Sequence, residues 1–556
     1  MIGGRHATMQ IEQMTVPGKL NLWYLSALSI AAMAALPLVA IFWSLPQGGA
    51  TSWWHIWQTT LPPYLVNTSI LLLLVALFTA LIGVTTAWLV TAWEFPGRKS
   101  LSWLLILPLS APAYIIAYVY TDFLAFSGPV QSSLRAIFGW THDDYWFPNV
   151  RSLPGAAIML SLVLYPYVYL LARTAFATQS LSQFQAARTL GASSGRAFFR
   201  IALPSARLAI VGGLALVMME TLADFGVAEY FAIPTFSTGI FRTWLAMGDK
   251  LAAMKLAAIM LLFVIILLWL EASSRRGRVD SQDGLSLGNF RKAASPQLAG
   301  FAFFLCGLPI FFGFVLPTLI LVHYAIRTGD GQSWAALSTY LFNSLYLAAL
   351  VSVFAVVIAL LLAYVQRQSN TPVLKAGIRV ATLGYALPGA LLAVGLLAPL
   401  GELDQGVTRF ARDNFGYGGG LLLTGTSAIL IYALVVRFLT VSYNSLNSGF
   451  GKIPASVDAA ARSLGASPGQ VVRQIHVPLL RRSLAAAAAL VFVDVLRELP
   501  ATLILRPFNL ETLSTRVYRL ASDERIAEAS TAALLILLAG LLPVILLNTW
   551  SDRLPD

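Results

Sequence analysis

FQAARTLGASSGRAFFRIALP, residues 184–204, returns as DAAARSLGASPGQVVRQIHVP, residues 458–478, a shift of 274. The likeness extends outward on both sides. NTSILLLLVALFTALIGVTTAWLV from Asn67 resembles NSLYLAALVSVFAVVIALLLAYVQ from Asn343 at a shift of 276, and Pro112 and Pro388 keep that shift. Glu220 against Asp494, and Asp224 against Glu498, return to 274. The two-residue slippage falls between the third and fifth apolar runs, where a loop absorbs it. A chain that repeats itself at a nearly constant spacing over half its length is two copies of one structural unit.

The unit is a membrane one. Of 556 residues 58% are hydrophobic and only 11% charged, where a soluble domain carries about 25% charge. Apolar runs of about 20 residues, each able to cross a hydrocarbon core of about 30 Å as a helix, lie near 22–43, 66–93, 101–125, 153–175, 205–226 and 252–271. Six more lie near 301–323, 343–365, 376–400, 421–443, 482–503 and 530–549. The expected fold is therefore an all-α polytopic membrane protein of about twelve transmembrane helices, built as two parallel six-helix repeats. Six spans per copy is an even number, so both copies enter and leave the membrane in the same sense. The polar stretch 273–297 has linker composition. It divides the chain into a first repeat at 1–271 (core 60–271, loop 176–204), a linker at 272–300, and a second repeat at 301–556 (core 336–549, loop 450–478).

The net charge of +12 is spread among short loops with no run of interleaved aromatics, so it implies no nucleic-acid partner. With the N-terminus inside, the inner segments, Arg437 among them, hold 24 of the 37 Lys and Arg. Such an excess places both termini in the cytoplasm. Arg188, Arg196, Arg200 and Arg207 stand at 176–207 without one Asp or Glu. Cys306, the single cysteine, lies in an apolar run, which excludes intrachain disulfides and suits packing. The run at 22–43 is too long for a signal-peptide core of 7 to 15 residues and reads as a retained span.

Each copy of the 21-residue stretch reads as two short helices joined by a tight turn. Ser182 and Ser456 are expected N-caps, and Gly191 and Gly465 fit the C′ position where φ is positive. Ser467, Pro468 and Gln470 have the form of a capping box with Pro at N1, and Ser193 caps alone in the first copy. Pro204 and Pro478 open the following span. Small alanines with exposed arginines describe a docking knob for an acidic partner.

The pattern E-A-A-x-x-x-G-x9-I-x-L-P resembles the signature of the inner-membrane permeases of binding-protein-dependent ABC importers. This chain carries it as Gln185, Ala186, Ala187, Gly191, Ile201 and Pro204, then as Ala459, Ala460, Ala461, Gly465, Ile475 and Pro478. Gln185 and Ala459 replace the glutamate, and Val477 replaces a leucine. Two such units in one chain, with ETLADFGVAEYFAIPTFSTGIFRTW at 220–244 and RELPATLILRPFNLETLSTRVY at 497–518, are similar to the fused permeases of ferric-iron importers. The resemblance implies a type I importer permease in a bacterial inner membrane, with the two motifs as coupling helices on a cytoplasmic ATPase dimer. It also implies a soluble periplasmic or extracytoplasmic binding protein and ferric iron as the small solute. Thiamine permeases are fused in the same way. The chain contains no G-x-x-x-x-G-K-[ST], so it is expected to be no enzyme and to hold no cofactor, with ATP and magnesium bound by the partner.

Carboxylates inside a membrane are costly and are functional candidates by default. Glu220 lies about 24 Å along the helix that begins near Pro204, and Asp224 is expected one turn further on the same face. With Asp494 and Glu498 they would form four carboxylates around one path, a set suited to a hard cation. Arg497 offers a salt-bridge partner in the second copy. Asn67 and Asn343 suit hydrogen bonding between elements. His142, Asp143 and Asp144 form one local cluster, and no dedicated metal site is identified. Two other classes remain: a secondary transporter with six-plus-six helices, which needs no paired coupling loops, and a membrane enzyme, for which no catalytic constellation is present.

Overall fold

In the computed structural model, residues 22–49, 51–179, 189–190, 193–276, 291–328, 334–369, 371–416, 421 and 423–551 are described. Nine helices among them are long and apolar enough to cross a membrane, from Leu22–Ser44 to Ala428–Phe450. A tenth candidate is bent by 89° between Arg98–Ser110 and Ala113–Phe138. The two remaining expected spans correspond to Arg481–Arg497 and Ile526–Ser551. The chain is a multi-pass, all-helical membrane protein whose lipid-facing surface is studded with exposed side chains such as Leu73, Leu81, Phe304 and Val357.

Three spans expected to be continuous are broken, each for a local reason. The run at 101–125 stops at Ser110 and restarts at Ala113, because Pro112 is extended with ψ 132° and the residue before a proline disfavours helix. At 376–400 the short amphipathic helix Pro372–Ala381 ends before Pro388, and Gly389–Phe415 starts afresh. The run at 482–503 breaks between Arg497 and Pro500. Smaller corrections follow: the span expected at 205–226 ends at Ala223, the one at 421–443 is Ala428–Phe450, and the linker shortens because flanking helices reach Arg276 and begin at Pro296. Within it, Lys292–Ala293 pair in parallel with Trp93–Glu94.

The two sequence repeats are not two separate packing units. Helix Leu22–Ser44 leaves its own half and packs on Pro372–Ala381 and Gly389–Phe415, with Tyr432 donating to the Met33 carbonyl at 2.5 Å. Helix Pro296–Arg327 crosses reciprocally, and Tyr120 of the first half donates to the Phe312 carbonyl at 2.5 Å. Ala27, Ala31 and Ile41 therefore share a core with Leu362, Leu391 and Leu446, while Cys306 is buried among first-half residues. Exchange of the outermost helices fastens the halves around a shared centre.

That centre is bordered in each half by a broken segment, between Ala223 and Lys250 and between Arg497 and Ile526. Asn67 Nδ2 donates to the Pro234 carbonyl at 3.2 Å, and Asn343 Nδ2 to the Glu511 carbonyl at 3.0 Å. The next residues along, Thr68 and Ser344, accept from the Phe236 and Leu513 backbone N–H. Thr235 with Thr238, and Thr512 with Thr515, form capping boxes that start the helices Phe236–Leu245 and Leu513–Ser522. These hydrogen bonds satisfy backbone groups of irregular chain that a membrane interior would otherwise leave unpaired.

Candidate functional site

All four carboxylates named from the sequence line one cavity between the halves, together with Tyr114, Tyr167, Tyr385, Arg437 and Arg497. Its volume of ≈ 130 Å³ is well above the roughly 10–15 Å³ that a single water needs. Four acids face two guanidinium groups there, so the wall carries an excess of negative groups. The expected convergence is observed, but the four positions are not equivalent.

Asp224 is not one turn beyond Glu220 on a common helix face. The helix ends at Ala223, Asp224 is extended at ψ 129°, and its Oδ2 accepts from the Val227 and Ala228 N–H at 3.0 and 3.2 Å. Glu498, extended at ψ 128°, does the same in the second half, accepting from Ala501 and Thr502 N–H at 2.9 and 3.0 Å and from the Thr502 hydroxyl. Both acids therefore start a short helix after a break, a role that short backbone-bonded carboxylates perform well. Asp494 is bonded by Arg497, whose other nitrogen donates to the Leu109 carbonyl of the first half at 2.9 Å. Position 223, the counterpart of Arg497, is alanine. Among the described residues no hydrogen bond or ion pair holds the half-buried Glu220, alone of the four.

Arg437 corrects the topological count. It lies in the middle of Ala428–Phe450, buried, with Nη1 4.0 Å from Glu498 Oε1. Its counterpart, Val163, lines the same cavity. A lone arginine inside IYALVVRFLTVSY is the available signal. Gly389 lets this pair form, since a Cβ there would sit 2.6 Å from Arg437 Nη1 and 2.7 Å from Glu498 Oε1. Tyr167 and Tyr385 carry no sequence signal, because tyrosine in an apolar run reads as packing.

In the second knob, helix Ala455–Ser463 carries Ala459, Ala460 and Ala461, and Gly465 turns the chain at φ +80°. Its N-cap is Pro454 rather than Ser456. The Ser467–Gln470 capping box with Pro468 at N1 is present, and Pro478 sits in the first turn of Val477–Leu479. Ala459 and Ala460 are exposed, whereas Ala461 is buried, so it packs the helix onto its own protein. Ile475 is partly buried against the same core. In the first copy Gln185, Ala186, Ala187, Gly191 and the cap Ser182 lie outside the described residues. Ser193 accepts from Arg196 N–H at 3.3 Å, Ile201 lies in the π turn Phe198–Ala202, and Pro204 opens the helix Leu203–Ala223. Leu190 and Leu464, one residue before the paired glycines, are 88% and 87% exposed.

The two knobs are seated by different chemistry. Trp88 packs on Phe176 and Phe198 at 5.3 and 4.9 Å in the first half. In the second, buried Asp458 accepts from Arg367 Nε at 2.5 Å and bonds His476 Nε2 at 2.6 Å. Arg367 also donates to the Phe450, Ile453 and Pro454 carbonyls. Burial holds the His476 imidazole below its ordinary value, against the pull of Asp458 and with the push of Arg367. His476 Nδ1 has no partner among the described residues, so protonation would bury an unpaired N–H. A base whose folded pKa is depressed binds fewer protons folded than unfolded. The seat is therefore fully stable above the ordinary imidazole value of about 6.5 and loosens as pH falls below it. Hydrogen exchange corrected for intrinsic rates should quicken in 455–480 on acidification, and stay level at 198–204, where Ala202 replaces the histidine.

His142–Asp144 is a 3-10 turn in which Asp144 is bonded by Thr141. Among the described residues no group of three His, Cys, Asp or Glu could hold a metal ion.

Comparison with known proteins matches the chain twice to the family described as binding-protein-dependent transport system inner membrane component, over residues 79–279 and 355–555. It is 23% identical over 88% of its length to the Fe(3+)-transport system permease protein FbpB 2 of Haemophilus influenzae, covering 90% of that protein. It is 25% identical over 76% of its length to the ferric transport system permease protein FbpB of Actinobacillus pleuropneumoniae, covering 60% of that protein. One half, 47% of the chain, is 26% identical to the sulfate transport system permease protein CysW of Escherichia coli and covers 90% of it.

Proposed function

Because the chain belongs to the family of binding-protein-dependent transport system inner membrane components, we propose that it is the fused permease of an ATP-driven importer of ferric iron. The observation that carries the substrate is the cavity with its four carboxylates against two arginines and an unengaged Glu220. A hard cation prefers oxygen ligands, and the ferric names of the relatives that align with most of the chain agree with that chemistry. An anion such as sulfate would need free cationic groups, but Arg497 is taken by Asp494 and Arg437 stands against Glu498.

On this reading both termini are cytoplasmic, and the knobs at 176–204 and 450–478 dock on two ATPase subunits that supply ATP hydrolysis and its magnesium. A soluble binding protein delivers the ion at the opposite face. Closure of the ATPase pair draws the knobs together and tilts the halves, so that the Glu220 cavity alternates between the two sides. The breaks at Pro112, Pro388, Ala223 and Arg497 surround that cavity and are where such tilting can bend the backbone.

The test is reconstitution of the chain in vesicles with the ATPase and the binding protein encoded beside it. ATP-dependent accumulation of ferric iron, abolished when either partner is omitted, is the expected result. Uptake of sulfate or thiamine in its place, or ion-gradient-driven flux by the chain alone, overturns it.

A further inference from the structure

A second cavity, of ≈ 590 Å³, lies near the far end of helix Ala113–Leu124, with Asp122, Gln131, Tyr145, Arg151, Tyr230 and Glu524 in its wall. It is polar: Arg151 bonds both Tyr230 and Glu524, and Tyr145 donates to Gln131. One helix links it to the Glu220 cavity. Tyr114 lines the Glu220 cavity and Asp122 lines the second. Tyr114, Tyr118 and Asp122 recur every fourth residue, on one helix face and across about 12 Å of rise.

The rings form a continuous ladder. Tyr114 and Tyr118 centroids are 5.6 Å apart, and Tyr118 and Tyr230 are 4.4 Å apart. Tyr114 and Tyr118 are 5% and 2% exposed, and neither hydroxyl has a hydrogen-bond partner among the described residues. An unsatisfied buried hydroxyl is costly, and phenylalanine would fill the same ring volume without that cost. Two such hydroxyls on successive turns, between two polar cavities, are placed for something that passes.

We propose that the Tyr114–Tyr118–Tyr230 ladder is the outward half of the cation path, passing a hard, oxygen-liganded cation from the second cavity to Glu220. This rests on the reading of the chain as a ferric-iron permease. Phenol oxygens are hard donors, and with no internal hydrogen bonds among the described residues the Tyr114 and Tyr118 oxygens are free to accept an ion. Gly226 keeps the lower rung in place, since a Cβ there would lie 2.5 Å from Tyr114 Cβ.

The experiment uses the full chain with its ATPase and binding protein in vesicles, and compares wild type with Tyr114→Phe/Tyr118→Phe. Ferric iron uptake should fall by at least about tenfold, the size of one lost contact to a charged species, while loaded binding protein still stimulates ATP hydrolysis as in wild type. Uptake within about twofold of wild type overturns the ladder as a path. A parallel loss of stimulated ATP hydrolysis also overturns it, by placing the hydroxyls in the fold. Failure of the wild-type complex to take up ferric iron would instead strike the underlying reading of the substrate.

Discussion

Glu220→Gln lowers ferric iron uptake by about ten- to hundredfold while leaving assembly with the ATPase and basal ATP hydrolysis unchanged. The magnitude follows from losing one ionised ligand, where contacts to charged groups are worth about 1.5–3 kcal/mol and each 1.4 kcal/mol is tenfold. Glutamine has nearly the same shape, and among the described residues no hydrogen bond or ion pair holds the Glu220 carboxylate, so the fold has little to lose. The other three carboxylates should behave differently. Asp494→Asn strips Arg497 of its charged partner, and leaving a buried charge uncompensated costs about 3–5 kcal/mol, so that variant should lose thermal stability along with transport. Asp224→Asn keeps a carbonyl oxygen for the backbone N–H groups and should be milder in both respects, whereas Glu498→Gln keeps those bonds but strips buried Arg437 of its charged partner and should lose stability too. Uptake in vesicles, paired with melting of the purified complex, reads the two effects separately. Wild-type uptake by Glu220→Gln would remove the free carboxylate from the mechanism.

Much of this site is legible in the amino-acid sequence, and the parts that are not have physical reasons. The repeat pairs Glu220 with Asp494 and Asp224 with Glu498, and the structure brings all four to one cavity. The matching asparagines hold matching broken segments. Hydropathy sums over a window, however, and a bend inside an apolar run leaves the sum unchanged, so it hides the breaks at Ser110–Ala113 and Arg497–Pro500. Pro112 and Pro388 are visible in register, but an apolar run containing a proline can still be one helix, and register alone does not mark an interruption. Helix periodicity likewise places Asp224 below Glu220, although the helix has already ended. Nearness to a loop assigns Arg437 to the inner side, whereas its pairing with Glu498 lets an arginine lie at mid-helix. Which of three successive alanines faces outward depends on what lies beneath them, and Ala461 is a packing residue for that reason.

Replacing both Leu190 and Leu464 with glutamate should detach the ATPase. These two leucines are among the most exposed large apolar side chains among the described residues, at 88% and 87%, and they occupy the same position in the two knobs. Exposed leucine facing water has no stabilising role in the permease alone, so on the docking reading it is the apolar tip that enters a cleft on each ATPase subunit. Fully burying one leucine is worth about 1.5–3 kcal/mol, so the pair contributes about 3–6 kcal/mol, more than a hundredfold in affinity. Glutamate adds the cost of an unpaired buried charge if the cleft still closes on it. Copurification of the ATPase should fail for the double variant and weaken for each single one, with the thermal stability of the permease unchanged. Cysteine crosslinking sharpens the result, because Cys306 is buried and gives little background. A cysteine at exposed Ala460 should join the ATPase, and one at buried Ala461 should not. Full retention of the ATPase by the double glutamate variant, with no crosslink at Ala460, would mean that the knobs meet some other surface.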